Sequence, residues 1–219
     1  MAYCGGLARV AVLGHSLCTG YGSTGYPGTA DDYQPTEHGW VAQLARAYTD
    51  TVWDNYSHNG AMVSDFFPGG RWPEAVGAIE DIAANRPNRV YILLGGNEYF
   101  QGIDPWRAYW CNLRSLISQL REKVSTRIYV VTEYDFPPEL GQGFDQIEYR
   151  KAAALTAAAN GCFHLDLSCS MPPTSDNSAG YYIPDEYAPG QSVHLTDAGH
   201  DRMAELVAET LPCSLPAPA

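Results

Sequence analysis

Hydrophobic and polar positions along the chain follow two alternating periods. Short apolar runs at 8–13, 51–56, 89–94, 126–133 and 162–166 read as strands, and 89–94 is the strongest of them. Helical spacing separates them. In 38–48, Trp40, Val41, Leu44 and Tyr48 share one face, and 73–84 opens with Pro73 in its first turn. Further helices are expected over 105–123, over 145–160 with Gly161 closing it, and over 197–211 with Thr196 as N-cap. This alternation predicts an α/β sandwich around a parallel sheet. Two segments break the rhythm: the Gly/Tyr/Pro-rich stretch 20–35, and 167–193 with Pro172, Pro173, Pro184 and Pro189. Loops this long inside a compact domain carry function or move.

In parallel sheets the chemistry sits beyond the carboxyl ends of the strands. The first strand breaks at Gly14, and Ser16 follows at the start of a helix. There, partial positive charge and free backbone N–H groups favour the anion formed when a serine oxygen attacks a carbonyl. An ordinary strand-to-helix turn with Ser16 as N-cap explains that stretch equally well on its own. The other strand ends decide between the two. The second delivers Gly60, the third delivers 95–98, and the loop after the fifth delivers His194. Acyl transfer by serine needs a nucleophile, an imidazole and oxyanion donors. Ser16 and His194 fit the first two roles. The donors are the Ser16 N–H, the Gly60 N–H, which no Cβ shields, and the uncharged amide of Asn97.

Composition narrows the partners. The 219 residues suit one domain over 1–219, with 212–219 as a frayed Pro/Ala tail. The 25 acidic against 13 basic residues give a net charge of −12. That charge excludes nucleic-acid and anionic-membrane partners and leaves a small-molecule or acylated substrate. No apolar run is long enough to span a membrane, and no signal-peptide pattern opens the chain. A cytoplasmic location is therefore expected, with a secreted mature form as the alternative. The six cysteines contain no C-x-x-C pair, which argues against a zinc site. They are expected to be mostly reduced and buried, the alternative being a Cys162–Cys169 bridge.

The motif order resembles the SGNH hydrolases of the GDSL esterase/lipase family over nearly the full chain. The matching blocks are Gly14-His15-Ser16-Leu17, Gly60, Gly95-Gly96-Asn97-Glu98, and Gln191-Ser192-Val193-His194 continuing through His200. The resemblance implies a three-layer α/β/α sandwich with a flavodoxin-like five-stranded parallel sheet. It also implies hydrolysis of esters or thioesters through an acyl-enzyme, with no metal or other cofactor. Gly96, Glu98 and Tyr99 become substrate-side candidates, and Glu98 is also expected to brace the loop bearing Asn97. The family's three acidic positions hold His15, Glu98 and Gln191 here. The last matters most, because that aspartate normally orients the histidine. In order of expectation, its replacements are the Ser192 backbone carbonyl, the Gln191 side-chain oxygen, and Asp185 or Glu186.

Other residues have blander readings. His15 and His200 are expected to pack, and His38, His58 and His164 to be surface or satisfied residues. Cys18 is expected in the core. From Tyr21, Tyr26, Tyr99, Phe100, Trp106, Tyr181 and Tyr182 an acyl pocket could be drawn, most of such a set being ordinary core or surface aromatics. The leading reading is a serine esterase. An acyltransferase using the same serine, and a catalytically silent binding module or non-acyl enzyme, are the alternatives.

Overall fold

The computed structural model describes residues 8–26 and 36–211. Expectations for the 212–219 tail, for Cys4 and Cys213, and for 27–35 lie outside them. The apolar runs form β1 (Ala8–Gly14), β2 (Thr51–Asn55), β3 (Arg89–Leu93), β4 (Arg127–Thr132) and β5 (Phe163–Asp166). They make one all-parallel sheet in the order β2-β1-β3-β4-β5. Burial explains why the sequence signal is uneven. Strand β3, central and covered on both faces, is buried throughout and reads as a continuous apolar run. At the edge, β5 exposes Phe163 and His164, so its pattern is weaker. Each expected strand is present, with bounds shifted by one or two residues.

The helices are α1 (Ser16–Thr19), α2 (Trp40–Ala47), α3 (Pro73–Asn85), α4 (Gly96–Phe100), α5 (Trp110–Lys123), α6 (Gln146–Ala159) and α7 (Asp197–Ala208). Helices α2 and α7 pack together on one side of the sheet, while α3, α5 and α6 form a second contiguous layer. The expected helix over 105–123 is two elements. A π-helical turn, Pro105–Tyr109, precedes α5, and Asp104 Oδ1 accepts the N–H groups of Trp106 and Arg107 at 2.9 Å each. This turn drives Tyr109 inward, where its hydroxyl donates to the Leu94 carbonyl at 2.8 Å. The short α4 and the 3-10 turn Val63–Phe66 were not expected, since one turn carries no periodicity to read.

Register sets up the site. Gly14 pairs with Leu93 and Leu93 with Val131, so β1, β3 and β4 end in one row. The residues one and two steps beyond, His15 with Ser16, Leu94 with Gly95, and Thr132 with Glu133, therefore share one edge. Strand order reverses between β1 and β3, where open α/β sheets form their crevice.

Cys18, Cys111, Cys162 and Cys169 are free thiols, so the Cys162–Cys169 bridge is not formed. Among these described cysteines only Cys18 is buried, which corrects the expectation of mostly buried thiols. Burial pushes its thiol far above the ordinary range and makes it unreactive. No helix among the described residues is long and apolar enough to cross a membrane.

Because Ile92 is fully buried in β3, Ile92→Ala is expected to cost about 2–5 kcal/mol in urea unfolding. Leu155→Ala, at an exposed position on α6, should change stability by less than about 0.5 kcal/mol.

Candidate active site

The row of strand ends gathers four loops. The segment after β2 lies against β1, where the His58 N–H donates to the Gly14 carbonyl at 3.2 Å. Thr19 Oγ1 of α1 donates to Asn59 Oδ1 at 2.7 Å, which seats Gly60 beside the helix that begins at Ser16. Gly60 has φ +72°, a left-handed conformation that glycine adopts without steric cost. Asn97 joins from α4, donating through Nδ2 to the Ala61 carbonyl at 2.9 Å.

His194 comes from the far end of the chain. The long loop before it folds back as an antiparallel hairpin: Tyr182 bridges Leu195, and the Ile183 N–H donates to the His194 carbonyl at 2.9 Å. The Tyr134 hydroxyl donates to the Val193 carbonyl at 2.6 Å, fixing this arm to the end of β4. His194 Nε2 then stands 2.8 Å from Ser16 Oγ, and Nδ1 stands 2.5 Å from Glu186 Oε1. Glu186 Oε2 accepts the backbone N–H groups of His194 at 2.9 Å and Val193 at 3.2 Å. Burial alone would raise this carboxyl. The hydrogen bond from His194, its charge and the two backbone donors outweigh burial and hold Glu186 below the usual carboxylate range.

The partner of His194 Nδ1 is therefore Glu186, ranked last in sequence. Neither the Ser192 carbonyl, the Gln191 side chain nor Asp185 holds that place. The hairpin explains why. Gln191 lies in the turn, bridged to Ala188, while Asp185 sits at φ +52° with Oδ1 accepting the Gly190 N–H at 2.7 Å. Glu186 stands on the arm opposite His194.

Three substrate-side candidates also move. Gly96 donates its N–H to Glu133 Oε1 at 2.9 Å, and a side chain there would crowd Glu133, Phe136 and His15. Tyr99 is 2% exposed, packed among Phe100, Phe136 and Tyr149. Glu98 is 3% exposed, with Oε1 accepting the Val63 N–H at 2.6 Å. Helix α4 turns all three inward, and the contacts they make are within the fold. Glu98 is expected to brace the loop bearing Asn97; its contact joins α4, which carries Asn97, to Val63 in the segment after β2. Of the aromatic set, Tyr21 packs on the His194 ring at 4.2 Å between centroids and Tyr26 on Tyr21 at 5.1 Å. Trp106 and Tyr182 are bound elsewhere, to Glu148 and to the Pro172 carbonyl.

His15 and His200 are buried and held by contacts within the fold. His15 Nε2 pairs with Glu133 Oε1 at 2.8 Å in a buried contact, while Nδ1 accepts the Leu17 N–H at 3.4 Å. Glu133 was missed because it lies beyond β4, a strand end that matched no motif. His200 is wholly buried, its Nε2 is 3.2 Å from the Tyr21 carbonyl, and burial pushes its pKa down to about 4. It is a neutral tether for the segment carrying Tyr21. Among the described residues no group of three or more His, Cys, Asp or Glu side chains could hold a metal ion.

This strand order, with a serine, a histidine and a carboxylate in series at the switch point, is the arrangement of an α/β ester hydrolase. The chain belongs to the GDSL-like lipase/acylhydrolase family, whose model matches residues 12–202. It is an ester hydrolase. No curated protein matches the chain. Solved structures with the same fold include a Lactobacillus plantarum protein at 18% identity and TM-score 0.69, covering 94% of this chain and 97% of that one. A phospholipase A1 from Streptomyces albidoflavus aligns at 17% identity and TM-score 0.66, covering 94% and 100%. A variant of an acetyl-xylooligosaccharide esterase from Geobacillus stearmophilus aligns at 19% identity and TM-score 0.63, covering 94% of each chain.

Glu98 generates a pH prediction. Its Oε2 has no hydrogen-bond partner among the described residues, and burial, with Glu133 and Asp65 nearby, pushes its pKa up to about 8. A carboxyl raised above its unfolded value stabilises the fold fully below about pH 4.3. That contribution is lost as pH rises toward 8. Glu98→Gln keeps the acceptor for Val63 and removes the titration. Its melting temperature should fall less than that of the parent between about pH 5 and pH 8.

Proposed function

We propose that the protein is a serine esterase that cleaves carboxylic esters or thioesters of a small-molecule or acylated substrate through an acyl-enzyme. The observation that carries this is the unbroken series Glu186–His194–Ser16, with contacts of 2.5 and 2.8 Å. Ser16 Oγ attacks the acyl carbonyl while its proton passes to His194 Nε2. Glu186 holds the imidazole by Nδ1–H, which keeps Nε2 free as the acceptor and stabilises the imidazolium that forms. The negative charge on the carbonyl oxygen falls to the Ser16 N–H, the Gly60 N–H and Asn97 Nδ2. An amide nitrogen carries two hydrogens, so Asn97 holds Ala61 with one and keeps the other for the oxyanion. His194 then returns the proton to the leaving alcohol or thiol. Water, activated by the same imidazole, attacks the acyl-serine carbonyl and releases the acid.

A silent binding module is disfavoured by Glu186, because the carboxylate absent at Gln191 is supplied from the facing arm of the hairpin.

Ser16→Ala and His194→Ala should each abolish hydrolysis of p-nitrophenyl acetate and butyrate. Glu186→Gln should lower kcat by about 10²–10⁴-fold with KM little changed, since a wrongly held imidazole tautomer costs about that much. Asp185→Ala and Gln191→Ala should stay near the parent rate. Full activity in Ser16→Ala rejects the mechanism, and parent-like kcat in Glu186→Gln rejects the third member.

A further inference from the structure

Four consecutive residues after β2 are each held by a side chain from outside that run. Arg71 Nη2 donates to the Gly60 carbonyl at 2.6 Å, and Asn97 Nδ2 to the Ala61 carbonyl at 2.9 Å. The Met62 N–H donates to Asp65 Oδ2 at 2.8 Å, and the Val63 N–H to Glu98 Oε1 at 2.6 Å. Arg71 and Asp65 are themselves locked together, Nε to Oδ1 at 2.9 Å and Nη2 to Oδ2 at 2.6 Å. Asp65 is buried, while the Arg71 side chain is half-exposed. The guanidinium also lies 4.3 Å over the Trp72 ring, which stacks on His58 at 4.9 Å and 6°. Gly70 permits the approach, because a Cβ there would meet the Asp65 carbonyl oxygen at 2.0 Å.

Gly60 explains why such a clamp is needed. Glycine gives the N–H an unshielded approach to a ligand, but it also leaves the backbone soft, with no side chain to anchor it. Oxyanion stabilisation depends on donors that are already aimed before charge develops. Rotation about Gly60 must therefore be stopped from outside. We propose that Arg71, held by Asp65, is a positioning residue for the oxyanion hole: its hydrogen bond to the Gly60 carbonyl fixes the residue whose N–H receives the developing charge. Arg71 touches no reacting atom in this role. A planar fork suits it because Nη2 spans Asp65 and Gly60 while Nε secures the second carboxylate oxygen, a geometry lysine cannot reproduce.

The inference rests on the serine-esterase reading above, and its test separates the two. R71A is assayed on p-nitrophenyl butyrate beside S16A, with active enzyme counted by phosphonate titration of Ser16 so that unfolded molecules do not contribute. Expected is a kcat lowered about 10–100-fold, the range for losing a group that orients a contact residue, with KM within about two-fold. Guanidinium ion at tens of millimolar should restore part of kcat. If R71A alone fails to fold because Asp65 is stranded, D65N/R71A removes that charge and should show the same loss in kcat. A parent-like kcat in the folded variant overturns the proposal. So does a loss confined to KM, which would make Arg71 a substrate contact, or a loss in kcat that guanidinium does not relieve. Activity persisting in S16A overturns the serine-esterase reading instead.

Discussion

A single 2.8 Å contact, His194 Nε2 to Ser16 Oγ, joins residues 178 positions apart and ties the end of β1 to the segment just before the last helix. The rest of the site is arranged to make that contact reproducible. On the serine side, register aligns the ends of β1, β3 and β4, so Ser16 leaves a row already fixed by the central sheet. On the histidine side no strand is available, and a hairpin stands in for one. Its arms are held to each other at Ile183 and His194 and to β4 by Tyr134. Asp197 at the start of α7 accepts both the N–H and the hydroxyl of Thr24, and His200 holds the Tyr21 carbonyl. The segment after α1 is thereby anchored to the helix that follows His194, and Tyr21 packs against the imidazole from it.

Much of this was legible in the sequence, and the limits have physical causes. Central strands are buried on both faces, so their apolar runs are unmistakable. Ser16, Gly60, Asn97 and His194 follow strand ends or a block with fixed spacing, and the structure brings them to one edge. Glu186 was harder to see. Choosing among Asp185, Glu186, Gln191 and Ser192 requires the path of a loop whose hairpin has only two isolated bridges and no alternating pattern. The inward turn of Gly96, Glu98 and Tyr99 was hidden for a related reason. It follows from the five-residue α4, too short to leave a period.

Two of the three altered acidic positions form one pattern of relocation. At the first block, His15 replaces an acid, and the carboxylate is supplied from the end of β4 by Glu133, which also accepts the Gly96 N–H. Glu133 thus joins the turn before Ser16 to the turn before Asn97. At the fourth block, Gln191 replaces an acid, and Glu186 supplies the carboxylate across the hairpin. In both cases the function follows the position of the oxygen atoms in space, not the position of the residue in sequence. A carboxylate can reach a given histidine from any neighbouring strand end or loop arm that carries enough reach.

The third position works differently, and electrostatics says why. Glu98 lies beneath the segment 60–63 with Glu133 and Asp65 nearby, and only Asp65 of the three has an arginine against it. A further negative charge in that buried space would oppose any anion forming at the site above it. Burial keeps Glu98 neutral near physiological pH, so it holds the Val63 N–H through a carbonyl-like oxygen without adding a field. The uncharged acid and the paired Asp65 let two carboxyl groups brace the segment 60–63 without placing an unpaired charge of their own beneath it.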